Sequence, residues 1–177
     1  MDRYLYGIFV LIAIFRLWVL FISKKHEKIL LRSSGKEYGK LILKWLAILH
    51  SMFYFSALFE GIYKKVMINN ISSLGIIVVS LSFLLLIYDI DTLGNYWTVK
   101  LIFVDEHELS NNWLFKSIKH PNYFFNIIPE LIGISLIFHA WITLLIFTIP
   151  YGICLFLRIK EENHIIYNIK IKDYNWF

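Results

Sequence analysis

Residues 121–138, PNYFFNIIPELIGISLIF, and residues 141–157, WITLLIFTIPYGICLFL, are two apolar runs separated only by His139-Ala140. A two-residue joint between runs of that length predicts a tight antiparallel helical hairpin. Each run approaches the roughly 20 residues that a helix needs to cross a bilayer. The hairpin therefore predicts an all-α, integral-membrane fold.

The upstream sequence agrees. Residues 4–22, 41–63 and 71–90 are further runs long enough to span. With the hairpin they predict about five transmembrane helices in one membrane domain over residues 1–177. Residues 4–22 read as a retained span, because the residues that follow, Ser23 to Lys28, lack a small-residue cleavage site. Of the 177 residues, 58% are hydrophobic and 18% charged, with mean hydropathy +0.61. A soluble domain has about half apolar and a quarter charged residues.

Charge placement predicts orientation. The 23–40 segment, read as a loop, carries Lys24, Lys25, Lys28, Arg32, Lys36 and Lys40, whereas the 64–70 linker carries only Lys64 and Lys65. The positive-inside rule places the first of these in the cytoplasm. With five spans the N-terminus is outside and the C-terminus cytoplasmic. Richness in Ile, Lys and Asn points to a bacterial cell membrane. Because the net charge of +5 sits in such loops, a nucleic-acid partner is not expected; the bilayer is. The single cysteine, Cys154, excludes an internal disulfide and a cysteine-based metal site. His26, His107, His139 and His164 share no close ligand spacing, so no metal is expected.

The candidate chemistry gathers at the feet of the hairpin. Lys119-His120-Pro121-Asn122-Tyr123 stands where a charged segment enters the first run. Pro121 suits the first helical position, with His120 as N-cap, and the free amides there favour an anion. Asn122, Asn126 and Glu130 recur every four residues and share one helix face, which Gly133 continues. A carboxylate among such polar groups inside lipid is costly and is a functional hypothesis by default. Glu130 lies about 13 Å past Pro121 at 1.5 Å per residue, and Pro129 beside it should bend the helix. His50 and Arg16 lie at a similar depth, about 12 Å from the same surface. Arg16, His50 and Glu130 are therefore expected to face a shared polar cavity; the alternative is an ion pair that only holds helices together. At the other foot Arg158, Glu161 and Glu162 fall within about one turn on a continuing helix. Carboxylates accept hydroxyls or an amine, and an arginine grips a carboxylate in a fork. Asp89 and Asp91 are expected to mark a membrane boundary.

Four stretches together carry a resemblance. His120-Pro121-Asn122-Tyr123 opens the hairpin and Arg158 to Glu162 follows it. Leu93-Gly94-Asn95-Tyr96-Trp97-Thr98-Val99-Lys100 precedes it, and Ser34-Gly35-Lys36-Glu37-Tyr38-Gly39 lies in the first basic segment. The pattern resembles the isoprenylcysteine carboxyl methyltransferase family over nearly the whole chain. It is most similar to the bacterial branch whose hairpin reads like Asn122–Gly133 here, a branch that includes alkylpyrone methyltransferases. Lys119 stands where the family usually has arginine, Trp113 where it has glycine, and Asn163 where a second glutamate would align.

The resemblance implies a transferase that uses S-adenosylmethionine, bound on the cytoplasmic side. Lys119, His120, Pro121, Tyr123, Glu161 and Glu162 are then expected at the cofactor. Asn122 and Asn126 are expected at the substrate, and Arg16, His50, Glu130 and Arg158 at the reacting groups. The acceptor would be a carboxylate or acidic hydroxyl oxygen of a lipophilic or lipidated molecule. Competing expectations are a phospholipid N-methyltransferase, an NADPH-dependent sterol-type reductase on a related fold, and a non-enzymatic membrane scaffold or small transporter.

Overall fold

The computed structural model describes residues 1–33, 35–103 and 122–174. Helix α1 spans Arg3–Arg32, α2 Lys40–Tyr63 and α3 Asn70–Leu93. After a 3-10 turn at Gly94–Tyr96 and a π-helical stretch at Asn122–Ile127 come α4, Ile128–Phe138, and α5, Trp141–Tyr174. Four of these helices are long and apolar enough to cross a membrane, and Tyr123–Phe138 is a shorter apolar helix. The fold is an all-α integral-membrane fold with one small addition. Strand β1, Lys36–Tyr38, pairs antiparallel with β2, Leu101–Phe103, so that Glu37 faces Ile102.

The helix surfaces are those of a bundle in lipid. The buried residues of α1, Leu5, Ile12, Val19, Ser23 and Leu30, fall seven or four apart, a single narrow seam. Its other apolar side chains, such as Leu11, Leu17 and Phe21, remain exposed. In α3 the seam is Ser72, Gly75, Val79, Ser82, Leu86 and Asp89. A Cβ on Gly75 would stand 2.6 Å from the Gly133 carbonyl oxygen and 2.7 Å from the Ile137 amide. Small residues let the α3 and α4 backbones meet, as membrane helix pairs do where lipid provides no hydrophobic drive. The core around them joins Phe53, Ala57, Ile134, Ile137 and Phe138.

The hairpin joint is as tight as its length demands. His139 takes a left-handed conformation (φ 52°) to end α4, and the Ala140 amide donates back to the Ser135 carbonyl at 2.8 Å. Glu60 of α2 caps the start of α5, accepting from the Ile142 amide (3.1 Å), the Thr143 amide (2.8 Å) and the Thr143 hydroxyl (2.7 Å). Such a cap satisfies amides that have no partner within their own helix.

Several expected boundaries move. The 23–40 segment is not a loop throughout: α1 continues to Arg32, because Lys, Arg and Glu are good helix formers once a helix is under way. The run expected as one helix from Pro121 is π-helical from Asn122 to Ile127, with Pro129 in the first turn of α4. The last helix carries its apolar span through Ile165 rather than stopping at Leu157. Asp91 is exposed, whereas Asp89 is 3% exposed and turned into the bundle.

Candidate active site

Glu130 is the centre of the deep part of the site and has no exposed surface. The π-helical turn before α4 and the α1 seam bring three predicted residues together there. Arg16 Nε donates to Glu130 Oε1 at 2.6 Å, and Arg16 Nη2 forms an ion pair with Oε2. The same Nη2 reaches Asn126 Oδ1 at 3.5 Å. Tyr54 also donates its hydroxyl to Glu130 Oε1. The Arg16 guanidinium lies over the Phe83 ring, 5.6 Å from its centroid, in a cation–π contact. Arg16 Nη1 has no partner among the described residues.

His50 joins this cluster at one remove. Its ring lies 4.8 Å from the Tyr54 ring, and its Nδ1 shares a 3.0 Å hydrogen bond with the Tyr151 hydroxyl. The expected common depth of Arg16, His50 and Glu130 is therefore found. Arg16 and Glu130 grip one another directly, and Tyr54 bridges Glu130 to His50. Sequence reasoning missed Tyr54, Phe83 and Tyr151. Tyr54 had one available signal: it lies four residues after His50, on the same face of α2.

A second cluster lies nearer the other end of α5. Arg158 is seven residues past Tyr151, roughly 10 Å along the helix, and is 2% exposed. Its Nη1 donates to the Gly39 carbonyl (3.3 Å) and its Nη2 to the Val99 carbonyl (3.4 Å). Tyr123 donates its hydroxyl to Glu162 Oε2 at 3.1 Å. Glu161 Oε2 is buried without a hydrogen-bond partner among the described residues. Gly39, at φ 66°, caps α2 in the left-handed region, and a Cβ there would collide with the Arg158 guanidinium and the Glu161 carboxylate. Only glycine meets both demands without strain.

The segment leading to this cluster is pinned to α1. Val99 donates its amide to Ser23 Oγ at 2.9 Å, and His26 Nδ1 donates to the Trp97 carbonyl at 2.8 Å. The Trp97 side chain is buried against Val19 and Leu86. Thus the stretches 35–39, 93–100 and 158–162, distant in sequence, meet beside Arg158. Lys119, His120 and Pro121, with the side chain of Asn122, lie outside the described residues, as do His107 and Trp113. Among the described residues no cluster of His, Cys, Asp or Glu could hold a metal.

The second cluster fits a zwitterionic, hydroxylated ligand. Glu161 presents a buried acceptor without a donor among the described residues, Gly39 lets its carboxylate and the Arg158 guanidinium come close to the backbone, and Arg158 is a buried cation next to both. The first cluster fits a small anionic or acidic head, through the free Nη1 of Arg16.

Comparison with known proteins gives relatives and a family. A protein of Haemophilus influenzae, named only as uncharacterized, is 40% identical over 154 residues, which cover 87% of this chain and 90% of that one. The uncharacterized protein YpbQ of Bacillus subtilis is 28% identical over 154 residues, 85% of this chain and 89% of its own. No solved structure matches with significance. The model of the isoprenylcysteine carboxyl methyltransferase family matches residues 73–168, from within α3 through the Arg158 cluster. The chain therefore belongs to the isoprenylcysteine carboxyl methyltransferase family, whose members are membrane methyltransferases.

Proposed function

We propose that the protein transfers a methyl group from S-adenosylmethionine to a carboxylate or acidic hydroxyl oxygen of a lipophilic substrate. The observation that carries this reading is the pairing of two polar clusters on one hairpin, about 10 Å apart by helix rise. The deep cluster is Arg16, Tyr54, Asn126 and Glu130; the second is Tyr123, Arg158, Glu161 and Glu162. The cofactor supplies a methyl group activated on a sulfonium. Glu161 and Glu162 offer carboxylates to its hydroxyls or ammonium, and Arg158 offers a guanidinium to its carboxylate. Lys119, His120 and Pro121 would complete that end of the site.

Arg16 holds the acceptor oxygen through Nη1 while Glu130 fixes the guanidinium plane. Both Glu130 oxygens are engaged by Arg16 and Tyr54, so Glu130 positions the arginine and does not serve as a base. For a hydroxyl acceptor, His50 Nε2 is the available proton acceptor, since Nδ1 is shared with Tyr151. An acceptor already ionised near neutral pH needs no base; alignment and exclusion of water then supply the rate. Positive charge on the α1 foot supports a bacterial inner-membrane orientation with the Arg158 cluster in contact with the cytoplasm.

Calorimetry on the purified protein separates this reading from its rivals. Heat of binding is expected with S-adenosylmethionine and not with NADPH; the opposite result would replace the transferase with a reductase. Radiolabelled methyl transfer to a prenylcysteine and to an alkylpyrone, with a phospholipid amine as third acceptor, then resolves oxygen from nitrogen methylation. Label appearing only in the phospholipid would overturn the choice of acceptor.

A further inference from the structure

Helix α1 continues as helix to Arg32 and so carries the basic residues after Ile22 on a rigid rod. Phe21, Lys24, Lys25, Lys28 and Leu31 fall at i, i+3, i+4, i+7 and i+10, one face of that rod. With Glu27 they line an open surface groove of about 490 Å³. The one acidic member is already neutralised: Glu27 Oε2 pairs with Lys100 Nζ at 3.1 Å, and its Oε1 accepts from Ser23 at 3.4 Å. Lys24, Lys25 and Lys28 are exposed and have no ion-pair partner among the described residues. Among the described residues, the groove therefore presents net positive charge without a counter-charge.

Its surroundings are graded in polarity. One turn above the lysines, Phe21 is 69% exposed and Leu17 66% exposed, and they form an i, i+4 apolar ridge along the lipid-facing side of α1. An occupant must therefore be anionic at the lysines and aliphatic along Leu17 and Phe21. A soluble anion meets only the first condition. We infer that this groove binds the phosphate headgroup of an anionic phospholipid, with an acyl chain lying on the Leu17–Phe21 ridge. The site is separate from both polar clusters, and it ties a specific lipid to the helix that carries Arg16.

The test is a lipid titration of the full-length protein in detergent, read by native mass spectrometry. Phosphatidylglycerol is expected to be retained at least about tenfold more strongly than phosphatidylcholine of the same chains, since each lysine near an anionic lipid surface contributes roughly fivefold. Lys24→Gln/Lys28→Gln should abolish most of that preference. These side chains are exposed and have no ion-pair partner among the described residues, so the variant is expected to fold, and an unchanged melting temperature checks this. Lys44→Gln, an exposed charge near the same end of the bundle but outside the groove, should leave the preference within twofold. An equal loss with Lys44→Gln would reduce the effect to diffuse surface charge and overturn the site. So would equal retention of the two lipids, or displacement of the lipid by millimolar inorganic phosphate.

Discussion

Glu60 and Glu130 are both carboxylates drawn into the helical bundle, and they are held in opposite ways. Glu60 takes its donors from a helix start: the Ile142 and Thr143 amides and the Thr143 hydroxyl, with Lys64 Nζ at 2.6 Å. No ligand can claim those amides without unwinding α5. Glu130 takes its donors from side chains alone, Arg16 of α1 and Tyr54 of α2, while Asn126, His50 and Tyr151 stand one step further out. Side-chain partners can shift to admit a ligand, and Arg16 keeps a donor in reserve. The comparison teaches that burial of a carboxylate does not mark a site; the identity of its donors does.

The largest expected effect breaks the second carboxylate. Glu130→Gln leaves the partly buried Arg16 guanidinium without its carboxylate, and loss of one partner of a buried pair costs up to about 3–5 kcal/mol. Methyl transfer should fall by roughly 100-fold or more, equivalent to about 3 kcal/mol in the barrier. The double variant Arg16→Gln/Glu130→Gln removes the stranded charge and should recover much of the melting temperature without recovering activity. If activity returns with the melting temperature, the pair is only a clamp between helices and the contrast with Glu60 disappears.

Glu60→Gln should do the reverse. It weakens charge-assisted bonds worth about 1.5–3 kcal/mol, so thermal melting in detergent is expected to drop by several degrees. Turnover per folded molecule, measured well below the transition, should stay at the wild-type value. A lowered turnover at unchanged stability would move Glu60 into the site.

Gly39→Ala sharpens the same distinction at the Arg158 cluster. The left-handed backbone costs an alanine of the order of 1 kcal/mol, and its methyl group displaces Arg158 and Glu161. With S-adenosylmethionine as cofactor, KM for it should rise about tenfold while kcat changes little. A change confined to melting temperature would make the cluster purely structural.

Much of this was legible in the sequence, and the reasons for the gaps are physical. Span lengths and charge steps locate α2, α3 and the hairpin joint, because a bilayer imposes length on any helix that crosses it. The same lengths bring Arg16, His50 and Glu130 to one depth. Depth does not specify rotation about each helix axis, so Tyr151 gave no sign that it would join that layer, and Tyr54 gave only its place one turn past His50. Hydropathy reports apolar content and not helicity, which hides the continuation of α1 through Lys24 and Lys28. The β1–β2 ladder joins Lys36–Tyr38 to Leu101–Phe103, and such a short pairing between distant segments leaves no local periodicity to read. Gly39 was visible as part of a motif, but its collision with Arg158 depends on where α5 ends up.

The smallest effect belongs to Lys100, whose partners lie on both sides of that ladder. Its Nζ stands 3.1 Å from Glu27 Oε2 on α1 and 3.4 Å from Glu37 Oε1 on β1. Burial works against the ammonium, yet Glu27 and then Glu37 outweigh it and hold the pKa above the ordinary lysine value. A raised folded pKa means that the charged form is stabilised by folding. That contribution is complete below the unfolded value, about 10.4, and is lost as pH rises through the higher folded value. With the side chain 32% exposed, solvent screening limits the network to about 1 kcal/mol or less. Lys100→Met should therefore lower the melting temperature by only about 2–4 °C near neutral pH. The gap to wild type should narrow in high salt, begin to shrink above about pH 10.4, and close once the pH passes the higher folded value. A gap that persists there would assign the loss to packing of the lysine stem and remove electrostatics from the joint between α1 and the ladder.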